Sequence, residues 1–131
     1  MNIQLRQVSM STSEATLRTH RVLIDRPHDK GGADVGPMGG ELFLASIGGC
    51  FMSTLLAAIR ARSADVSDVR VEVIGELADG PARFLSVALN IEARGNSEEL
   101  ERLIAIADRG CIMMNTLRAV LDLRIRIGAA I

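Results

Sequence analysis

The sequence predicts an α+β domain in which helices lie on strands, and three observations carry that prediction. Residues 41–59, ELFLASIGGCFMSTLLAAI, hold no charge from Leu42 to Ile59, which suits a helix too apolar for a solvated surface. Residues 69–91 alternate apolar and polar side chains on either side of an Ala-Asp-Gly-Pro turn, the pattern of a β-hairpin. Residues 100–114 set Leu100, Leu103, Ile104, Ala107, Cys111 and Met114 along one helical stripe. At 131 residues, 48% hydrophobic and 24% charged, the chain has the size of a single domain, 1–131, with enough apolar residues for a core.

Taken in order, residues 3–10 alternate weakly and predict a first strand, and residues 16–25 a second. The stretch RPHDKGGADVGPMGG, 26–40, collects Pro, Gly and Asp and predicts a mobile flap. No Gly-Lys-Ser/Thr follows its glycines, so it is not a phosphate-cradling loop. A helix is expected from about 39 to 62, closed by Arg60 and Arg62. Its 18 uncharged residues just reach the length of a membrane span. Against a span stand Ser46, Gly48, Gly49, Ser53 and Thr54 within it and half-buried strands on both sides that need an apolar cover. A buried central helix accounts for the same residues better, and no membrane partner is expected.

Residues 63–68 form a turn, and the hairpin follows, with Leu85, Val87, Leu89 and Ile91 on one face of its returning strand. Asn96 or Ser97 caps the second helical region, with Glu98 and Glu99 in the first turn where the helix dipole favours carboxylates. Gly110 is expected to break this region just before Cys111. LDLRIRI, 121–127, alternates as a last strand, with Leu121, Leu123, Ile125 and Ile127 inward. The predicted order is β-β-loop-helix-β-β-helix-β, on antiparallel strands. The first helix is apolar on every side, so one sheet face cannot bury it. A second copy of the chain is the simplest cover, and Gly48 and Gly49 would let a neighbouring helix come close.

Composition narrows the function. A net charge of −1, three Phe and no Trp or Tyr supply neither a basic field nor a stacking platform, so nucleic acid is not an expected partner. The opening MNIQLRQVSM lacks the apolar run of a signal peptide, and two cysteines are too few for a secreted disulfide framework. Cys50 and Cys111 stand 61 residues apart, with no Cys-x-x-Cys and only two histidines, so neither zinc nor another cofactor is expected. A cytoplasmic location is the expectation.

A free cysteine is most often a small buried hydrophobe, and spacing alone gives that role to both Cys50 and Cys111. A redox role asks for more. The thiol must ionise, burial opposes this, and a cation or a helix N-terminus must offset it. Fourteen of the fifteen basic residues are arginines, but spacing does not say which one reaches Cys50. A second cysteine brought close by the fold would resolve an oxidised first one as a disulfide.

The stretch GGADVGPMGGELFLASIGGC, followed by RGCIMMNTLRAVLDLRIRI, resembles the OsmC/Ohr family of osmotically inducible and organic hydroperoxide resistance proteins. The shared pattern is a Gly/Pro loop, Glu-Leu, a small-residue helix ending in Gly-Gly-Cys, a second Cys about sixty residues on, an Asn-Thr-Leu run and a last strand. It covers residues from about 20 to 127. The resemblance implies an OsmC-like fold, an intertwined homodimer with its central helices packed together, and a thiol peroxidase acting at the subunit interface. It casts Cys50 as the thiolate that attacks an organic hydroperoxide and Cys111 as the resolving thiol, with a dithiol reductant reopening the disulfide. Phe43, Ile47, Phe51, Met113 and Met114 would suit a fatty or aryl hydroperoxide, although the two methionines read first as core.

The chain departs from that pattern in places. The key glutamate of the active members falls on Gly40, and Glu41 matches the position after it. Those members also hold the thiolate with an arginine from an early strand, for which Arg18, Arg21 and Arg26 are candidates and Arg18 is preferred. A proline usually follows the second cysteine, where this chain has Ile112. These departures place the chain in the less characterised OsmC-like branch. Glu41 reads equally as a first-turn carboxylate or as the group holding an arginine over Cys50. His20 and His28 read as solvated or hydrogen-bonded, Asp34 as a turn cap and Asn115 as a backbone partner near Cys111, so no Cys-His-Asp set is legible. The leading expectation is a two-cysteine organic hydroperoxide reductase. The alternative is a catalytically weak dimeric module that binds a small hydrophobic ligand at its interface.

Overall fold

The computed structural model describes residues 1–128, and the last three positions of the expected domain lie outside the described residues. The chain divides into two compact units, Met1–Phe43 and Leu44 onward.

The first unit is an antiparallel sheet of β1 (Gln4–Gln7), β2 (Ser13–Leu17) and β3 (His20–Ile24) in that order. Arg6 sits opposite Glu14 in the register, and its Nη2 donates to the Glu14 carboxylate at 2.8 Å. The expected strand over 16–25 is instead parts of two strands. The chain reverses at Arg18–Thr19, between the paired residues Leu17 and His20, and Arg18 takes a positive φ of 57°. Such a turn ordinarily draws Gly or Asn, so Leu-Arg-Thr-His gave no sign of it.

Residues 26–40 are organised around a carboxylate that the sequence did not single out. Asp25 is 3% exposed and directly follows β3. Its Oδ1 accepts from the N–H of Arg26 at 2.7 Å, and its Oδ2 from the N–H of Ala33 at 3.1 Å and the Thr12 hydroxyl at 3.2 Å. The Asp25 N–H donates to the Pro37 carbonyl at 3.1 Å, and a 3-10 turn, His28–Lys30, fills the loop. The predicted flap is thus stitched down by the residue just before it, as short acidic side chains do in turns. Burial pushes the Asp25 carboxyl up, but the N–H groups of Arg26, Val35 and Ala33 and the Ser11 hydroxyl outweigh it and hold it down to about 2 from 3.8.

A folded-state value below the unfolded one stabilises the fold at higher pH, and the contribution is lost as pH falls. The margin of wild type over Asp25→Asn should therefore be constant above about pH 5 and shrink between about pH 4 and 2. Urea denaturation of both proteins across that range checks it. A margin independent of pH would remove Asp25 as the anchor of this loop.

The helix α1 spans Gly39–Arg62, the expected bounds, with Glu41 in its first turn. From Leu44 on it belongs to the second unit. Its buried residues, Ile47, Gly48, Phe51, Leu55 and Ala58, form one stripe, while Ala45, Gly49, Leu56 and Ala57 are exposed. The helix is therefore buried on one side of a single chain rather than all round. By length and apolarity alone α1 would also pass as a membrane span. Gly48 backs onto a strand: a Cβ there would lie 2.6 Å from Val73 Cγ2, whereas a Cβ on Gly49 would meet nothing within 4 Å. The close approach expected of the glycine pair is thus made by Gly48 alone, to its own sheet.

That sheet holds β4 (Val66–Ala78), β5 (Arg83–Gly95) and β6 (Asp122–Ile127) in order. β4 and β5 form the predicted hairpin, pairing Val71 with Ile91 and Val73 with Leu89. β6 runs parallel to β5, pairing Leu123 with Val87 and Ile125 with Leu89, which corrects the all-antiparallel expectation. The reason is the connection. α2 (Ser97–Gly110) and α3 (Ile112–Leu117) return the chain to the start of the sheet, so β6 repeats the direction of β5. Val87, Leu89 and Ile91 are fully buried as expected, while Leu85, near the turn and at a break in the hairpin register, stays 42% exposed.

Candidate active site

In the second unit the site is built from α1 and the junction of α2 with α3. α2 begins where predicted, its N-cap Asn96 accepting from the Glu99 N–H at 3.0 Å. Its stripe of Leu100, Leu103, Ile104 and Ala107 is buried and continues through Cys111 and Met114. The helix stops at Gly110, and Cys111 takes an extended conformation, φ −80° and ψ 119°, before α3 starts at Ile112. Two contacts brace this break. Asn115 Nδ2 donates to the Arg109 carbonyl at 2.9 Å, and Arg118 pairs with Asp108 at 2.8 Å. Asn115 thus has the backbone partner expected of it, at the end of α2.

On α1, Cys50 is half-buried. Thr54 donates its hydroxyl to the Cys50 carbonyl at 3.0 Å, and a Cβ on Gly110 would lie 3.1 Å from the Thr54 methyl. The missing side chain of Gly110 lets the α2–α3 break approach α1 one turn from Cys50. Gly110 therefore both ends α2 and makes room for the junction.

The two cysteines belong to this junction. Both thiols are unbridged, Cys111 is buried, and each shifts the ionisation of the other. Burial opposes ionisation of Cys50, but the Met113 N–H, the Cys111 thiol and the Ile112 N–H together overcome it, and the Cys50 pKa lies below the ordinary cysteine value. Cys111 goes the other way. Burial pushes it up and the neighbouring Cys50 sulfur adds to this, against opposing hydrogen bonds from the Met114 and Met113 N–H groups. One thiol is primed to ionise and the other to keep its proton, and the thiolate is the nucleophilic form.

Met113 and Met114 contribute main-chain donors, while the Met114 side chain is core, 1% exposed. The donors acting on Cys50 in the second unit are main-chain groups and a thiol. Spacing could not have found them, because an N–H group has no residue-type signature.

The other expected site residues lie in the first unit. Arg18 is exposed at the β2–β3 turn, and Arg21 is exposed on β3 with its guanidinium 4.0 Å from Glu14. Glu41 accepts from the Met38 N–H at 2.8 Å, so its first-turn structural role is observed. A cavity of about 450 Å³ in this unit is lined by Ser11, Asp25, Arg26, Lys30, Met38 and Gly40, among others. His20 and His28 are exposed. Among the described residues no group of three or more His, Cys, Asp and Glu gathers to hold a metal ion.

Comparison with known proteins bears on the whole architecture. The family model described as OsmC-like protein matches residues 30–126. No curated protein matches the sequence. An OsmC-like protein from Mycoplasma pneumoniae superposes with a TM-score of 0.83 at 19% identity, covering 99% of this chain and 96% of that one. An organic hydroperoxide resistance protein from Elizabethkingia anophelis does so with a TM-score of 0.76 at 20% identity, covering 98% and 96%. The organic hydroperoxide resistance protein OhrB of Bacillus subtilis gives 0.72 at 18% identity, covering 98% of each chain. At these identities the likeness establishes the fold.

Proposed function

The chain belongs to the OsmC-like protein family, and from that premise we propose that it is a cytoplasmic thiol peroxidase that reduces organic hydroperoxides through Cys50 and Cys111. The observation that carries this reading is the pair itself. Two free thiols lie close enough to act on each other's ionisation, with the Cys50 pKa lowered and the Cys111 pKa raised. Likeness to proteins named for hydroperoxide resistance adds support.

The chemistry balances as follows. The Cys50 thiolate attacks the distal oxygen of ROOH, the O–O bond breaks, and the alkoxide leaves and takes a proton as ROH. Cys50 is now a sulfenic acid. The Cys111 sulfur displaces its hydroxyl as water and closes a disulfide. An external dithiol reduces that disulfide by exchange and leaves as its own disulfide. Burial holds the Cys111 pKa up throughout, but the Cys50 anion that adds to it is consumed in the first step.

A homodimer is part of the proposal. Its support is apolar surface left open on the single chain: Leu56 on α1, and Leu5, Val8 and Met10 around β1. Arg18 and Glu41 are carried as the guanidinium and carboxylate of the site on the resemblance alone.

One equivalent of cumene hydroperoxide, with hydrogen peroxide in a parallel sample, tests the chemistry. Denaturing alkylation and peptide mapping should find a Cys50–Cys111 disulfide formed faster with the organic peroxide. Two unmodified thiols after long exposure would leave the ligand-binding dimer as the better account.

A further inference from the structure

Building on that reading, we propose that Thr54 and Gly110 are positioning residues: their contact sets how close Cys111 comes to Cys50, and so how readily the two thiols close a disulfide. Two distances carry this. The Thr54 hydroxyl donates to the Cys50 carbonyl at 3.0 Å, which fixes the side chain on its helix. A Cβ on Gly110 would lie 3.1 Å from the Thr54 methyl, inside the optimum for two carbons, so that point has room for a glycine and for nothing larger without a shift. Each partner is tied to one of the cysteines. Thr54 stands one helical turn after Cys50 on the same face of α1, and helical side chains lean back toward the preceding turn. Gly110 is the residue before Cys111, at the end of α2.

The junction is built to pass a push at Gly110 on to Cys111. The Asn115 side chain holds the Arg109 carbonyl at 2.9 Å and its N–H holds the Cys111 carbonyl at 3.0 Å, while Arg118 pairs with Asp108 at 2.8 Å. Residues on both sides of the break are thus tied together, and Ala107, Cys111 and Met114 are packed to 1% exposure or less. On the other side, Thr54 cannot turn its methyl aside without giving up the bond to the Cys50 carbonyl, because one rotation moves both branches. A disulfide accepts a narrow range of Cβ separations. A shift of Cys111 away from α1 by a few tenths of an ångström is therefore felt as strain in the bond that the two sulfurs form.

Gly110 lies within α2 and is not among the glycines with positive φ, so alanine suits its backbone, and the neighbour its Cβ would meet is the Thr54 methyl. The reduced protein is equilibrated with oxidised glutathione, a reaction that forms one Cys50–Cys111 disulfide and two glutathione thiols. In Gly110→Ala its constant should fall about 10-fold, a reduction potential about 30 mV higher, read by acid quench, alkylation and peptide mapping. Gly110→Ala/Thr54→Ser, whose serine keeps the hydroxyl and lacks the methyl, should recover the wild-type constant, which a general loss of stability would not do. Circular dichroism checks that both variants fold. In the wild-type protein a nuclear Overhauser contact between the Thr54 methyl and the Gly110 α-protons should be present in the reduced and the oxidised forms, and this arm stands even where a variant does not fold. An unchanged constant in folded Gly110→Ala, a fall that serine does not reverse, or a missing Thr54–Gly110 contact overturns the proposal. No arm uses a hydroperoxide. A pair whose equilibrium follows the contact but which reduces no peroxide would end the peroxidase reading and uphold this one.

Discussion

Cys50→Ser should abolish hydroperoxide turnover, lowering the rate by about three orders of magnitude or more, whereas Cys111→Ser should complete one turnover and stop. The asymmetry follows from what each sulfur does. A serine at position 50 has the geometry of the nucleophile without its anion, because two amides and a thiol that hold a thiolate are far too weak to ionise an alcohol at neutral pH. A serine at position 111 leaves the attack intact and removes the resolving step. Cys50 then accumulates as a sulfenic acid, one oxygen heavier, trappable by a 1,3-dione and open to further oxidation. Peroxide consumption should equal one equivalent per chain in Cys111→Ser and none in Cys50→Ser. If the two variants exchanged these behaviours, Cys111 would be the attacking thiol and the opposite shifts of the two groups would be irrelevant to the order of events. Steady turnover in Cys50→Ser would falsify the peroxidase assignment outright.

The elements set by local pattern were legible in the sequence. The Gly/Pro punctuation before residue 39 and the arginines at 60 and 62 bounded α1, and Asn96 with the stripe through Met114 defined α2 and the position of its break. What pattern does not encode was missed. A period of two is the same in a parallel and an antiparallel strand, so LDLRIRI announced a strand and not its direction. Arg18 turns the chain in a conformation its residue type rarely takes, so two strands read as one. Asp25 looked like the end of a strand, because the N–H groups it gathers come from residues with no common signature. The site shows the same division. Spacing alone gave both cysteines a packing role, and only the family resemblance paired them. The structure then sets the two thiols apart, one pKa lowered and the other raised, through surroundings that no sequence motif displays.

Phe51→Ala should destabilise the fold by about 3–5 kcal/mol, the range for deleting a fully buried aromatic ring. Phe51 is 0% exposed and stands between Ile47 and Leu55 on the buried stripe of α1, one residue beyond Cys50. Close-packed surroundings collapse only partly around the space left behind, so the lost transfer energy is joined by a cavity term. For a chain of this length the thermal midpoint should fall by about 10 °C or more, and Phe51→Leu should recover most of the loss. The informative comparison is Leu56→Ala on the opposite side of the same helix. Leu56 is 39% exposed in a single chain, where truncation should change stability by less than about 1 kcal/mol. In the proposed dimer a second copy covers that side, and the loss should then resemble a core truncation and grow on dilution, since the stability of an obligate dimer depends on protomer concentration. Urea denaturation of wild type, Phe51→Ala and Leu56→Ala at two protein concentrations separates the cases. Phe51→Ala reports the core of one chain and Leu56→Ala the contact between two. A Leu56→Ala effect below 1 kcal/mol at both concentrations would leave the exposed side of α1 uncovered in solution and withdraw the homodimer built on it.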